Sequence, residues 1–232
     1  MNLWLKGILQ VVIIIAVPVV LVVLPIRLLM HPRWVYFEYN RFGFPADDFG
    51  LTWPERTRLA ITGVDSIIGP RGVVVLQEAR LPDGSAAFNE REVSHMRDVR
   101  VVTRNIYTAQ VVLFIAAAVA VFVLWRQPGA RPVAPSALLA GATATVALLV
   151  ALVIFVLSGF DTFFTTFHRI FFSGDTWLFN YTDTLIRLYP VQFWFDAATV
   201  IGVTTIVEAV VLGLLAWRWQ ASIPAAHQNL AS

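Results

Sequence analysis

Apolar and polar residues are distributed along this chain in long blocks. Four stretches are almost unbroken in Val, Ile, Leu, Ala and Phe: about Gly7 to Leu29, Ile106 to Trp125, Ser136 to Leu157 and Asp196 to Trp217. Each approaches the ~20 apolar residues that carry a helix across a bilayer core. The polar blocks between them are unequal: 30–105 is long, 126–135 short and 159–195 intermediate. The pattern predicts an all-α membrane protein with four transmembrane helices. The two longer blocks form an outer-leaflet cap of amphipathic helices with a short β element, all within one integral membrane domain spanning 1–232. The first apolar stretch is too long for a signal-peptide core, and no small-residue cleavage site follows it. Pro18 and Pro25 inside it predict a kink, tolerable where neighbouring helices cover the freed carbonyls.

Inside the polar blocks the period shortens to that of a helix. Asn89, followed three residues later by Glu92, is a capping-box start. No Pro or Gly then interrupts the chain until Pro128. One helix of about 35 residues is therefore expected, charged in its first third and apolar from Val111 to Trp125. Thr52-Trp-Pro-Glu55 is a second capping box with Pro in the first turn. It opens a segment whose apolar positions, Ala60, Ile61, Val64, Ile67 and Ile68, oppose Glu55, Arg56, Arg58, Asp65 and Ser66. Such a helix either lies in the membrane interface or packs inside a small cap. Gly72 to Gln77 reads as a strand, and Leu81-Pro-Asp-Gly84 as a turn. Phe160 to Phe172 keeps a helical stripe of aromatics around His168 and Arg169. It is too short and too polar at its centre to span, and aromatic belts favour the headgroup level. The stretch from Ala221 to Ser232 reads as a frayed tail.

Composition sharpens this. The chain is 58% hydrophobic and 14% charged, with mean hydropathy +0.71, far from the balance of a soluble domain. With no cysteine, a disulfide framework, a thiolate zinc site and a cysteine acyl-enzyme are excluded. A net charge of +2 without a basic run argues against nucleic acid; Arg97, Arg100 and Arg104 on one juxtamembrane helix suit anionic headgroups better. Lys6, Arg126, Arg131 and Arg218 flank the spans at one set of ends, which the positive-inside rule makes cytoplasmic. Both termini then face the cytoplasm, and 30–105 and 159–195 face outward. The composition does not define an oligomeric state.

The candidate chemistry is carried by histidines. Of four, His31 ends the first span and His227 lies in the tail; His95 and His168 fall in polar islands beside apolar runs. Imidazole is the side chain whose ordinary pKa suits proton transfer near neutrality. A Ser-His-acid triad lacks a nucleophile elbow, and Ser94 cannot face His95 from the next position on a helix. A zinc site drawing on Glu92, Asp98 or Asp175 lacks any close ligand pair, so no metal is expected. General acid–base catalysis of acyl transfer remains, with Asp98 one turn from His95 to orient or charge it. Glu208, about 18 Å into the fourth span at 1.5 Å per residue, is costly there and reads as a helix-packing group. Arg27 is close enough to the end of the first span to snorkel. A non-enzymatic small subunit of a transport or envelope complex is the competing reading.

Two segments carry a resemblance. Phe88-Asn-Glu-Arg-Glu-Val-Ser-His-Met-Arg-Asp-Val99 resembles the pattern of the lipoprotein intramolecular transacylase (Lit) family. So does Phe167-His-Arg-Ile-Phe-Phe172, followed by Trp177, Asp183-Thr-Leu-Ile186, Pro190 and Phe193-Trp-Phe195. Residues 31–80 carry no such likeness. The resemblance implies an enzyme of the bacterial cytoplasmic membrane. Its substrate would be a diacylglyceryl-modified lipoprotein, whose sn-2 acyl chain moves to the α-amine of the N-terminal cysteine to give the lyso form. The family's two histidines fall on His95 and His168, with no cofactor required. Arg91, Asp98, Arg169 and Trp177 are the candidates for holding substrate.

Overall fold

The computed structural model describes residues 1–172 and 174–223. Its helices are α1 Leu3–Leu29, α2 Pro32–Asn40, α3 Trp53–Ile68, α4 Val74–Glu78, α5 Glu90–Arg126, α6 Val133–Ser158, α7 Phe160–Phe171, α8 Thr184–Leu188 and α9 Val191–Ala221. Among the described residues four helices are long and apolar enough to cross a membrane: α1, α5, the stretch Pro128–Ser158 containing α6, and α9. The protein is a multi-pass membrane protein. The apolar portion of α5 is the span expected from the sequence, about Ile106 to Trp125. His227 lies outside the described residues.

The chain forms two compact units. The first takes, of the described residues, 1–26, 106–158 and 200–223. Its core is built from small and branched side chains: Ile13, Val17, Ala120, Leu124, Ala130, Ala134 and Ala137. Gly141 of α6 meets α1 so closely that a Cβ there would lie 2.7 Å from Cβ of Val17. Pro25 removes the usual partner of the Leu21 carbonyl, and Thr205 Oγ1 of α9 supplies a long replacement at 3.5 Å. Gln110 Nε2 donates to the neighbouring Val20 carbonyl at 3.2 Å. The proline-containing helix is thus covered by its neighbours, as its sequence requires. Outward faces keep large apolar side chains exposed, Phe114, Phe122, Val210 and Leu214 among them.

The second unit takes 27–105 and 159–199. Both capping boxes form: Thr52 N–H donates to Glu55 at 2.9 Å, and Asn89 and Glu92 exchange bonds of 2.7 and 3.0 Å. Helix α5 then runs unbroken for 37 residues. The alternative left open for α3 resolves in favour of a packed helix, because Leu59, Ala60, Val64 and Ile67 are buried with Val35, Tyr39, Leu76, Leu188 and Phe193.

Two expectations fail here. Arg56 and Ser66, assigned to the solvent side of α3, are buried at 5% and 0% exposure. Arg56 is tolerated because its guanidinium donates to the carbonyls of Arg187 and Pro45 and lies over the rings of Tyr39 and Phe44. A buried charge is affordable only with such partners. The strand at 72–77 is absent; that stretch holds α4 instead. The described residues contain only an isolated bridge, Arg80 to Ala86, closed by the expected turn, where Gly84 N–H donates to Leu81. No neighbouring strand offers Val73 to Val75 a ladder, and burial of Leu76 in the core overrides their β propensity.

Candidate functional site

Both central histidines lie in the second unit, on helices of different character. His95 sits in the second turn of α5, whose start is fixed by the Asn89–Glu92 exchange. Glu92 also reaches elsewhere: its second oxygen accepts the Leu185 N–H at 2.7 Å, in the first turn of α8. This carboxylate is 1% exposed and clamps two helix starts, with burial pushing its pKa above the usual carboxylate value. Nearby, Asp183 accepts from Asn89 at 3.0 Å and from Arg91 at 3.3 Å. His168 lies in the last turn of α7, an aromatic amphipathic helix that fully buries none of its side chains.

The fold brings the two rings together. Their centroids are 6.4 Å apart, with planes 26° from parallel. Phe172 stands 5.0 Å and Phe179 5.2 Å from His95. Phe164 stands 4.0 Å and Trp177 4.9 Å from His168. With Phe167 5.5 Å from His168, five aromatic rings stand around the two imidazoles. His168 Nδ1 donates to the Phe164 carbonyl at 2.8 Å. A carbonyl can only accept, so the proton of neutral His168 sits on Nδ1 and its lone pair on Nε2. His95 Nδ1 is buried with no partner.

Burial disfavours charge on both rings. It pushes His95 down to about 4, the nearby His168 adds to the fall, and Asp98 opposes it. Burial also lowers His168, against the Phe164 bond. Both imidazoles are thus neutral at neutral pH, each with a lone pair able to take a proton.

The other expected site residues separate. Trp177 is buried, donates to the Gly174 carbonyl at 3.0 Å and packs on His168. Asp98 is half-buried and accepts one long bond, 3.4 Å, from Thr176. Arg91 is engaged by Asp183, and Arg169 is exposed. His31 caps α2, its Nδ1 accepting from Arg33 N–H at 3.1 Å. Among the described residues no group of three or more His, Cys, Asp or Glu is placed to hold a metal ion. Sequence reasoning missed Phe164, Phe172 and Phe179 as walls and Glu92 as a clamp. The aromatic stripe of α7 signals Phe164; nothing local signals the reach of Glu92 to Leu185, 93 positions away.

A helical multi-pass membrane protein with paired neutral imidazoles in an aromatic enclosure defines the class. Comparison with known proteins specifies it. The family model for lipoprotein intramolecular transacylase Lit matches residues 11–194, and the chain belongs to that family of membrane transacylases. It is 30% identical over 198 residues to an uncharacterized protein of Aquifex aeolicus (strain VF5), covering 85% of this chain and 88% of that protein. Its fold matches the in meso structure of the membrane-integral lipoprotein intramolecular transacylase Lit from Bacillus cereus with a TM-score of 0.67 at 19% identity, covering 95% of this chain and 97% of the other. A further in meso structure of the Bacillus cereus protein, with one histidine replaced by alanine, matches with a TM-score of 0.63 at 18% identity, covering 92% and 93%.

Proposed function

We propose that this protein moves the sn-2 acyl chain of a diacylglyceryl-modified lipoprotein onto the α-amino group of its N-terminal cysteine, by acid–base catalysis from His95 and His168. The α-amine attacks the sn-2 ester carbonyl, an N–C bond forms, and collapse breaks the C–O bond to glycerol. Two protons leave the original ammonium: one passes through an imidazole to the departing glycerol oxygen, the other to solvent. His95 is the principal acid–base group, and His168, its lone pair fixed on Nε2, assists or positions. An imidazole near 4 is a weak base towards a free ammonium, but the ammonium of the tetrahedral intermediate is far more acidic and yields its proton readily. Both reacting groups sit on one molecule, so positioning supplies much of the rate.

The observation that carries this reading is the pair of neutral imidazoles 6.4 Å apart inside aromatic walls. The reading places the site at the outer leaflet of the bacterial cytoplasmic membrane, with both termini cytoplasmic. His95→Ala and His168→Ala are each expected to lower turnover about 10²- to 10⁴-fold, read by mass spectrometry of the lipoprotein N-terminus. Undiminished lyso product from either variant would overturn that residue's role. Orientation is tested separately: the chain has no cysteine, so single cysteines placed in 126–135 and in 81–86 report sidedness by impermeant labelling.

A further inference from the structure

We propose that Asp98 is the anchor for the substrate's free α-ammonium, so that the site selects lipoproteins with an unacylated N-terminus and loses its hold once the amide has formed. This rests on the transacylase reading of the same site. Asp98 follows His95 by one helical turn and shares its face. It is half-buried and close enough to His95 to act on its charge, and among the described residues its hydrogen-bond donor is Thr176 Oγ1, at 3.4 Å. The ion pairs among the described residues involve Glu38, Asp47, Glu78, Asp183 and Asp196, and none involves Asp98. A half-buried carboxylate is stabilised by a cation, and among the described residues no Lys or Arg forms an ion pair with it.

The surroundings also suit an ammonium. Phe172 and Phe179 stand 5.0 and 5.2 Å from the His95 ring, and aromatic rings attract cations. His95 Nδ1, buried and unpartnered, provides a second unfilled hydrogen-bonding position within the same walls. One carboxylate then serves two positions of the proton: it pairs with the ammonium on arrival and with the His95 imidazolium after transfer. Amide formation removes the charge that Asp98 holds, which favours departure of the product.

The test measures binding without turnover. A diether analogue of the S-glyceryl-cysteinyl peptide, whose chains cannot transfer, is compared with its N-acetylated form on the purified full-length protein in detergent. The wild-type protein is expected to prefer the free ammonium about ten- to hundredfold, the scale of one charge-assisted hydrogen bond. Asp98→Asn is expected to erase that preference and Asp98→Glu to retain most of it. Each readout is a ratio on one protein sample, so a lower yield of folded protein cancels. An undiminished preference in Asp98→Asn, or none in the wild type, would overturn the proposal. So would equal displacement of the analogue by an ethanolamine phospholipid, which would assign the carboxylate to a lipid headgroup. Because the analogue does not react, inactivity of the catalyst would leave this measurement unchanged, and the two readings fail independently.

Discussion

The two units of this protein solve the burial of polar groups differently. In the span unit, polar side chains are few and lightly held: Thr205 and Gln110 each give one bond to α1, and Ala and Gly let helices approach closely. In the other unit, Glu38, Arg56 and Glu92 are buried and closely bonded, and other charged groups are partly buried. Asp47 and Arg187 pair through two bonds of 2.9 and 3.0 Å, Arg56 holds three to carbonyls, Arg41 pairs with Glu38 and Asp196, and Glu92 bridges two helix starts. Lipid-facing helices satisfy their own backbones and need only close packing. A unit made of short helices and loops must satisfy many loose backbone groups, and long polar side chains do so here. The two candidate histidines, His95 and His168, belong to this second unit.

Mutations can break this contrast in order of effect. The largest change expected is the loss of turnover in the two histidine variants. Next comes Glu92→Ala, which leaves the Asn89 and Leu185 N–H groups without their acceptor at about 1–3 kcal/mol each. A fall in stability of about 3 kcal/mol is expected by thermal unfolding, with activity lost in the surviving folded fraction; an unchanged midpoint would deny Glu92 its clamp role. In the span unit the comparable site is Gly141. Gly141→Val forces α1 and α6 apart and should cost about 1–3 kcal/mol by overpacking, so retention of the wild-type midpoint would contradict the close approach.

The pH response follows from His95. Its folded-state pKa, about 4, lies below the unfolded value of about 6.5. The unfolded chain therefore binds the proton first as pH falls. This contribution to stability is complete above about pH 6.5 and is lost as pH falls through about 4. The titration of the His95 ring followed by NMR should likewise lie well below pH 6.5, and a midpoint at the ordinary histidine value would show that His95 is not buried as described. The smallest effect expected is that of Thr205→Val: a 3.5 Å bond in the span unit should be worth about 0.6 kcal/mol or less.

The same contrast explains what the sequence discloses. The span unit is legible because hydropathy and length alone set its elements, and the single long α5 follows from one cap and the absence of breakers. The second unit is only half legible. Its capping boxes are local and can be read, whereas Arg56 looks solvated until Arg187, 131 positions away, offers its carbonyl. Gly72 to Gln77 misleads because β-branched residues express their preference only beside another strand. At the candidate site, the histidines stand out by position, but their spacing and the walls around them depend on long-range folding that no short motif encodes.

Helix α7 carries a practical consequence. Twelve residues with no fully buried side chain make a marginal helix in water, so an amphiphile covering its Phe stripe would be part of the scaffold that holds His168. The Nδ1 bond to Phe164 exists only while that last turn is wound. Detergent choice should therefore act as a kinetic variable: short-chain micelles that wet the Phe stripe would slow turnover while bulk unfolding curves stay unchanged, and native-like nanodiscs would restore the rate.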